Sequence, residues 1–291
     1  MQEDYVKRGI WWDELGHKVE SLDKWDEVIP WEVEERSLAV AMEDGYEPIT
    51  THRALVRSDN KNLLSVVSKR YGVIRNQQIK ELLAVLVDNG AEIDSIGTAS
   101  GGRKLWAAVH FPQWDDIAGD PVKRNVVVVS SHDGSSPLKW IFTPVRIACI
   151  NVLQIAEQQM DFAVRVVHSG NIKEKLVVVQ NISRVINDRF SEYVKLFRTM
   201  HTKVIDIPDA KKLNELLFTK EPSKQEKAAL AIIMDIFQQS YLKFTLWGWL
   251  NAVVAYVDHY RGKKRTATKS LFGADSLIKQ KAFNIARDYV C

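Results

Sequence analysis

The sequence predicts an α+β fold: a central antiparallel β-sheet with a hairpin, packed by helices and followed by a mainly helical carboxy-terminal region. Three observations lead there. Residues 103–142 hold three runs with strand character, RKLWAAVHF, Val122 to Ser131 and Pro137 to Phe142. Asp133-Gly134 separates the last two, a dipeptide that favours tight hairpin turns because both residues tolerate positive backbone dihedrals. From about Asn171 onward, apolar residues recur at helical spacing instead. With 291 residues, 46% apolar and 26% charged, the chain supplies a sizeable core for one large or two modest domains.

The pattern divides the chain into an acidic, tryptophan-containing arm (1–60), an α+β core (61–170) and a helical region (171–291). In the arm, Trp11, Trp12, Trp25 and Trp31 stand among acids, with turn signals at Gly16, Pro30 and Gly45. This reads as loosely regular chain packed onto the body through its indoles. Asn62 to Ile74 is rich in β-branched residues and reads as a strand or hairpin. Asn76 is placed to cap a helix in which Ile79, Leu82, Leu83 and Leu86 share a face and which Gly90 closes.

In RKLWAAVHF, Leu105, Ala107, Val109 and Phe111 point one way and Lys104, Trp106, Ala108 and His110 the other. The first face is core; the second is expected to be wet or to hold a ligand. Pro137 to Phe142 alternates Leu138, Trp140 and Phe142 with Lys139 and Ile141. A helix is expected from Pro144 through VRIACINVLQIAEQQ. Among the later helices, TLWGWLNAVVAYVDHY carries an apolar stripe of Leu246, Trp249, Leu250, Val253, Tyr256 and Val257. A basic loop, RGKKRTATK, and a closing helix, SLIKQKAFNIARDYV, follow.

Several function classes find no support. Two cysteines, Cys149 and Cys291, make neither a disulfide framework nor a Cys-rich metal site, and fit a reducing cytoplasm. The opening MQEDYVKRGIWWDELG has no continuous apolar region or small-residue cleavage site, so no signal peptide is expected. The longest apolar run, Phe244 to Val257, falls short of the roughly 20 residues that a membrane span needs. There is no GxxxxGK[ST] or GxGxxG pattern, and no glycine-flanked nucleophile elbow around Ser131, Ser135 or Ser136. The seven histidines show no metal-ligand spacing on a common helix. No catalytic residue, metal or cofactor is therefore expected.

The stretch Ser131-His132-Asp133-Gly134-Ser135 holds the adjacent histidine and acid that most invite a chemical role. Neighbours on a strand point to opposite faces, so the pair does not converge unless the turn redirects it, and the turn reading is preferred.

Charge is more informative. Residues 1–60 hold 7 Lys/Arg against 15 Asp/Glu, and residues 61–291 hold 33 against 22. A basic body behind an acidic arm suits a polyanion whose site the arm shields. Arg103 and Lys104 open one strand, Lys123 and Arg124 precede the next, and Lys139, Trp140 and Arg146 follow the hairpin. If these strands are neighbours, their bases line a groove in which Trp106 or Trp140 stacks on bases, the arrangement that holds single strands without sequence preference. Lys263, Lys264 and Arg265 form a second basic cluster.

In WWDELGH, YGVIRNQQI, GGRKLWA, SSHDGSSP, TPVRIACIN, VVHSGNI and LWGWLNAVVAYVDHYRG followed by LFGADSLIKQKA, the chain resembles the phage/plasmid-like protein family, a domain of unknown function carried by phages, plasmids and mobile elements. The family tends to show Trp-His-x-Leu-Gly near its start; here the stretch reads Trp12-Asp13-Glu14-Leu15-Gly16, without the histidine. A more distant likeness in element order, from Asn76 to Gln158, is to single-strand annealing recombinases, whose basic grooves close into rings. That resemblance implies single-stranded DNA binding and strand annealing in phage or plasmid recombination or replication, in a cytoplasmic homo-oligomer, ring or filament. Two other readings stand beside it: a metal-dependent nuclease or hydrolase using His132 and Asp133, and a protein-binding accessory, such as an inhibitor of host defence, whose acidic arm mimics DNA.

Overall fold

A computed structural model describes residues 17–18, 21–143, 163–166, 168, 182–218, 222–242, 244–260 and 274–291. Expectations for Trp11, Trp12, Cys149, Arg146, the helix after Pro144 and the 263–265 cluster lie outside these residues. The strands are β1 (His17–Lys18), β2 (Val33–Met42), β3 (Gly45–Arg57), β4 (Leu63–Ser68), β5 (Glu92–Ala99), β6 (Lys104–Ile117), β7 (Asp120–Ser131), β8 (Leu138–Thr143) and β9 (Ala163–Val166). The helices are α1 (Trp25–Val28), α2 (Asn76–Asp88), α3 (Ile182–Thr202), α4 (Ile207–Leu217), α5 (Lys224–Gln239), α6 (Leu246–Ala255) and α7 (Ala274–Val290). A six-stranded sheet has the order β1-β5-β6-β7-β8-β9, and a three-stranded sheet the order β2-β3-β4. Pairing is antiparallel in both. With the helices concentrated after residue 182, the fold is α+β, as predicted.

The chain forms two compact units. One comprises Met1–Gln113, Arg124–Thr143 and Asp161–Asn187; the other comprises Trp114–Lys123, Pro144–Met160 and Asp188–Cys291. The described part of the amino-terminal arm thus belongs to the first unit. It is also more regular than its composition suggests, because β2 and β3 pair over most of their length. Its Trp25 and Trp31 are buried, as expected.

In the first unit, α2 buries Ile79, Leu82, Leu83 and Leu86, the stripe that the sequence marks. Gly90 ends the helix region at φ +89°, where a side chain is disfavoured. Asn76 is not the cap. Arg75 holds the N-cap position, its backbone N–H donating to Gln78 Oε1 at 2.9 Å, which frees the buried Asn76 amide for other partners. Between Asn62 and Ile74 the strand occupies only β4.

The expectation of one wet face on β6 is overturned. Trp106 and Ala108 are as buried as Leu105, Ala107 and Val109. The adjacent β7 buries four valines in succession, Val126 to Val129, and β8 buries Leu138, Lys139, Trp140 and Ile141. Consecutive burial of this kind means that both faces of these strands are covered. Alternation reports which residues share a face, but it cannot report what lies against the second face.

The β7–β8 connection is wider than a two-residue type I′ turn. Asp133 keeps a negative φ, and only Gly134 turns left-handed, at +72°. Ser131 Oγ donates to Ser136 O at 2.7 Å and accepts from Ser136 N at 2.9 Å, closing the loop at its neck. Asp133 Oδ1 accepts from Ser135 N at 2.9 Å, the local bond by which aspartate initiates turns.

The second unit is built on α3 to α7 with the end of the β6–β7 hairpin. Phe190, Tyr193, Phe197, Trp247 and Phe283 make its aromatic core, with Phe197 and Trp247 centroids 4.3 Å apart. Two indoles serve as hydrogen-bonding struts: Trp249 Nε1 donates to Asn214 Oδ1 at 2.8 Å, and Trp247 Nε1 to Asp120 Oδ2 at 3.0 Å. The predicted stripe from Leu246 to Val257 is buried, although the last turns widen into a π-helix at Tyr256–Tyr260. Thr245 caps α6 by accepting from Gly248 N at 3.0 Å. A Cβ at Gly248 would lie 2.0 Å from the Leu242 carbonyl oxygen, a clash that only backbone movement relieves. Gly248→Ala should therefore lower stability by roughly 2 kcal/mol or more, read as a reduced urea midpoint, despite alanine's better helix propensity.

Candidate functional site

The SHDGS stretch is a junction of buried polar groups. His132 is buried, and its Nε2 lies 2.9 Å from Asn76 Oδ1. Asn76 Nδ2 donates to Trp31 O at 2.8 Å, which fixes the amide and leaves its oxygen facing the imidazole. His132 Nε2 therefore carries the proton. Trp31 meets the His132 ring edge-on at 5.9 Å, and Arg57 stacks on Trp31 at 4.5 Å. A Cβ on Gly102 would come within 2.8 Å of the Trp31 ring, so the second glycine of GGRKLWA makes room for this indole.

The backbone of the same stretch is held from several sides. His132 N donates to Arg103 O at 2.7 Å, Ser65 Oγ to His132 O at 2.6 Å and Tyr71 Oη to Ser131 O at 3.2 Å. Tyr71 stacks flat on His168, centroids 4.7 Å apart, and His168 Nδ1 lies 2.9 Å from Gly72 O, to which it donates.

These surroundings set the charges. Burial, with a smaller contribution from His168, lowers the His132 pKa to about 4, against the weaker pull of Asp133. Burial also holds His168 below the usual imidazole range, outweighing the backbone groups of Gly72 and Ser136. For Asp133, burial acts upward but is outweighed by the bonds of Ser135 and Ser131 and by Lys104, leaving its carboxyl below the usual range. Burial, and then Asp133, pushes the Tyr71 phenol up. The cluster is a neutral, hydrogen-bonded core junction with a charged Asp133 at its rim. His132 and Asp133 do not converge on a common ligand, and among the described residues no three His, Cys, Asp or Glu side chains are grouped to hold a metal.

The predicted strand-binding residues do not form one groove. β6, β7 and β8 are neighbours, as expected. Trp106 and Trp140, however, are only 2% and 0% exposed, so neither offers a ring face for stacking, and the expectation for both is corrected. Lys139 is buried as well and is withdrawn as a phosphate contact. Arg103 is exposed and Lys104 half-buried at the start of β6. Arg124 lies opposite Gln113, 3.5 Å from its amide oxygen, nine residues along β6 from Lys104, a separation of about 30 Å in an extended strand. Arg103 and Lys104 are thus separated from Arg124 along a single hairpin. Lys123 packs over Trp114, 5.0 Å from the ring centroid, and this Trp114 is 50% exposed.

The second unit contains an open groove of about 440 Å³ that the sequence reading missed. It is lined by Ser191, Val194, Lys195, Arg198, Thr199 and Thr202 of α3, with Asp115. The spacing of these α3 residues marks one helical face, visible in SEYVKLFRTMHT. It looks like any solvated helix face until the structure shows a concavity beside it. Among the described residues, no helix is long and apolar enough to cross a membrane.

Among known proteins, a family model described as "Domain of unknown function (DUF932)" matches residues 63–278. No curated protein and no solved structure matches the chain.

The buried imidazole makes stability depend on pH. In the unfolded chain His132 titrates near 6.5, and in the fold near 4. Between these values the unfolded state binds the proton and the folded state does not, so stability falls as pH drops from 7 to 4, by roughly 3 kcal/mol from this group. His168 acts in the same direction. Urea unfolding across that range should show the decline, and His132→Gln, which retains an amide donor for Asn76, should flatten it in part.

Proposed function

The chain belongs to the family described as a domain of unknown function (DUF932), which leaves the activity to be read from the residues, and we propose that it binds single-stranded DNA without sequence preference. The observation that carries the reading is the α3 groove. Lys195 and Arg198 lie three residues, about 4.5 Å of helix rise, apart and share the groove with the hydroxyls of Ser191, Thr199 and Thr202. Two cations against the single acid Asp115, flanked by hydroxyl donors and open to solvent, suit the phosphates of a flexible strand. Trp114, half exposed beside Lys123 in the same unit, supplies an aromatic face of the kind that the buried Trp106 and Trp140 do not. Arg103 and Lys104 provide a second cationic station in the first unit.

The reading extends to strand annealing in phage or plasmid recombination or replication. Contacts made to phosphates leave base edges free to pair with a second strand. It includes no covalent step. The metal-dependent hydrolase reading draws no support from His132, whose Nε2 is committed to Asn76.

The expected outcome is steep salt dependence. In fluorescence anisotropy with labelled oligonucleotides, log affinity should fall linearly with log salt, at about 0.7 per phosphate neutralised. Lys195→Glu/Arg198→Glu should weaken binding and reduce that slope by about 1.4, whereas Lys211→Glu/Lys212→Glu on α4 should leave it nearly unchanged. Absent or salt-independent binding to every oligonucleotide would overturn the proposal.

A further inference from the structure

The distal ends of β2 and β3 form a ribbon that nothing covers among the described residues. From Leu38 paired with Ile49 to Met42 paired with Gly45 the two strands pair with each other, while β4 pairs with β3 only between His52 and Val56. The break in register after Ser37, where the partner jumps from Arg53 to Ile49, marks where the ribbon leaves the three-stranded sheet. Two-stranded ribbons are marginal in water on their own.

The composition of this ribbon is unusual for exposed chain. Directly paired residues share a face, so Leu38, Val40, Met42 and Ile49 form one apolar stripe with Glu47 beside it, and Ala39, Ala41, Tyr46 and Pro48 form the other face. Val40 is 48% exposed, Met42 55% and Tyr46 80%. The charges of residues 38–49 are all acidic: Glu43 and Asp44 at the tip, and an exposed Glu47 paired with Val40 midway along the ribbon. At the root the balance reverses, because each of two carboxylates is shared by two cations: Glu34 by Arg36 and Lys61, and Glu35 by Arg53 and Arg75. An apolar stripe with an acidic tip and a cation-rich root is complementary to itself when turned end for end.

We propose that the ribbon docks on the ribbon of a second copy of this chain. The two Leu38-Val40-Met42-Ile49 stripes stack face to face about a two-fold axis. Glu43 and Asp44 of each copy then lie over the Arg36 and Lys61 root of the other, some 24 Å away along the strand. The arrangement covers both stripes at once, and it uses each surface twice, as an isologous contact requires. Exposed apolar side chains rimmed by charge, here Val40 and Met42 flanked by the half-buried Leu38 and Ile49, are the usual mark of such a contact. This inference goes beyond the DNA-binding reading and does not depend on it.

The test is sedimentation of the full-length chain across the micromolar range, after nuclease treatment so that no nucleic acid bridges copies. The wild-type chain should be dimeric. Val40→Lys/Met42→Lys should be monomeric with unchanged circular dichroism, since both side chains are exposed, and should lose the concentration dependence that dimerisation gives the wild-type urea midpoint. Glu43→Lys/Asp44→Lys and, separately, Arg36→Glu should each weaken self-association at least tenfold. An equimolar mixture of the two charge variants should form a heterodimer, because each then offers the charge that the other lacks. A monomeric wild-type chain, a dimer indifferent to Val40→Lys/Met42→Lys, or failure of the mixture to associate would each overturn the proposal.

Discussion

The first unit depends on one buried amide. Asn76 at the start of α2 donates to the Trp31 carbonyl and accepts from His132, so a single side chain joins the segment before β2, the helix and the loop leaving β7. Each partner would be an unsatisfied buried polar group without it, at a cost of about 1–3 kcal/mol apiece. The network also specifies direction. A hydrophobic side chain at Asn76 would fill the space but would leave the imidazole tautomer and the seating of Trp31 undetermined. That is why His132 looks catalytic in the sequence but is structural in the fold: its proton is committed, and its burial keeps it neutral.

Much of the fold is legible in the residues, and the failures have a common cause. The α2 stripe, the strand runs from Lys104 onward and the apolar stripe of α6 are local periodicities, and they appear where periodicity places them. The ribbon formed by β2 and β3 is hidden because its apolar residues occur on both faces and are interrupted by acids at the turn, so it resembles irregular chain. Trp106 and Trp140 mislead for the converse reason. Their strand faces are assigned correctly by alternation, but whether a second layer covers such a face depends on residues far away in sequence. The cations are recognisable by type, yet strand length decides whether they meet, and β6 at fourteen residues carries Arg103 and Arg124 to opposite ends.

The α3 groove shows how little a helical pattern says about function. Ser191, Lys195, Arg198, Thr199 and Thr202 lie on one face, as the polar residues of any amphipathic helix do, and only the concavity next to them distinguishes this face. Two surfaces of opposite character result: a cationic, hydroxyl-lined groove in the second unit, and an acidic, apolar ribbon in the first. The acidic bias of residues 1–60 is thereby given a position. Glu43 and Asp44 of that segment stand at the ribbon tip without a base nearby in sequence, while Glu34 and Glu35 lower down are paired with bases.

Each compact unit is assembled from three separated stretches of the chain, and the stretches interleave. During synthesis the first unit must wait for residues up to 187, after Trp114–Lys123 of the second has already emerged. The second unit closes only when its carboxy-terminal helix leaves the ribosome. The first unit can therefore close while residues 188–291 of the second are still to come, and a break at any one peptide bond between Trp114 and Asn187 would divide both units.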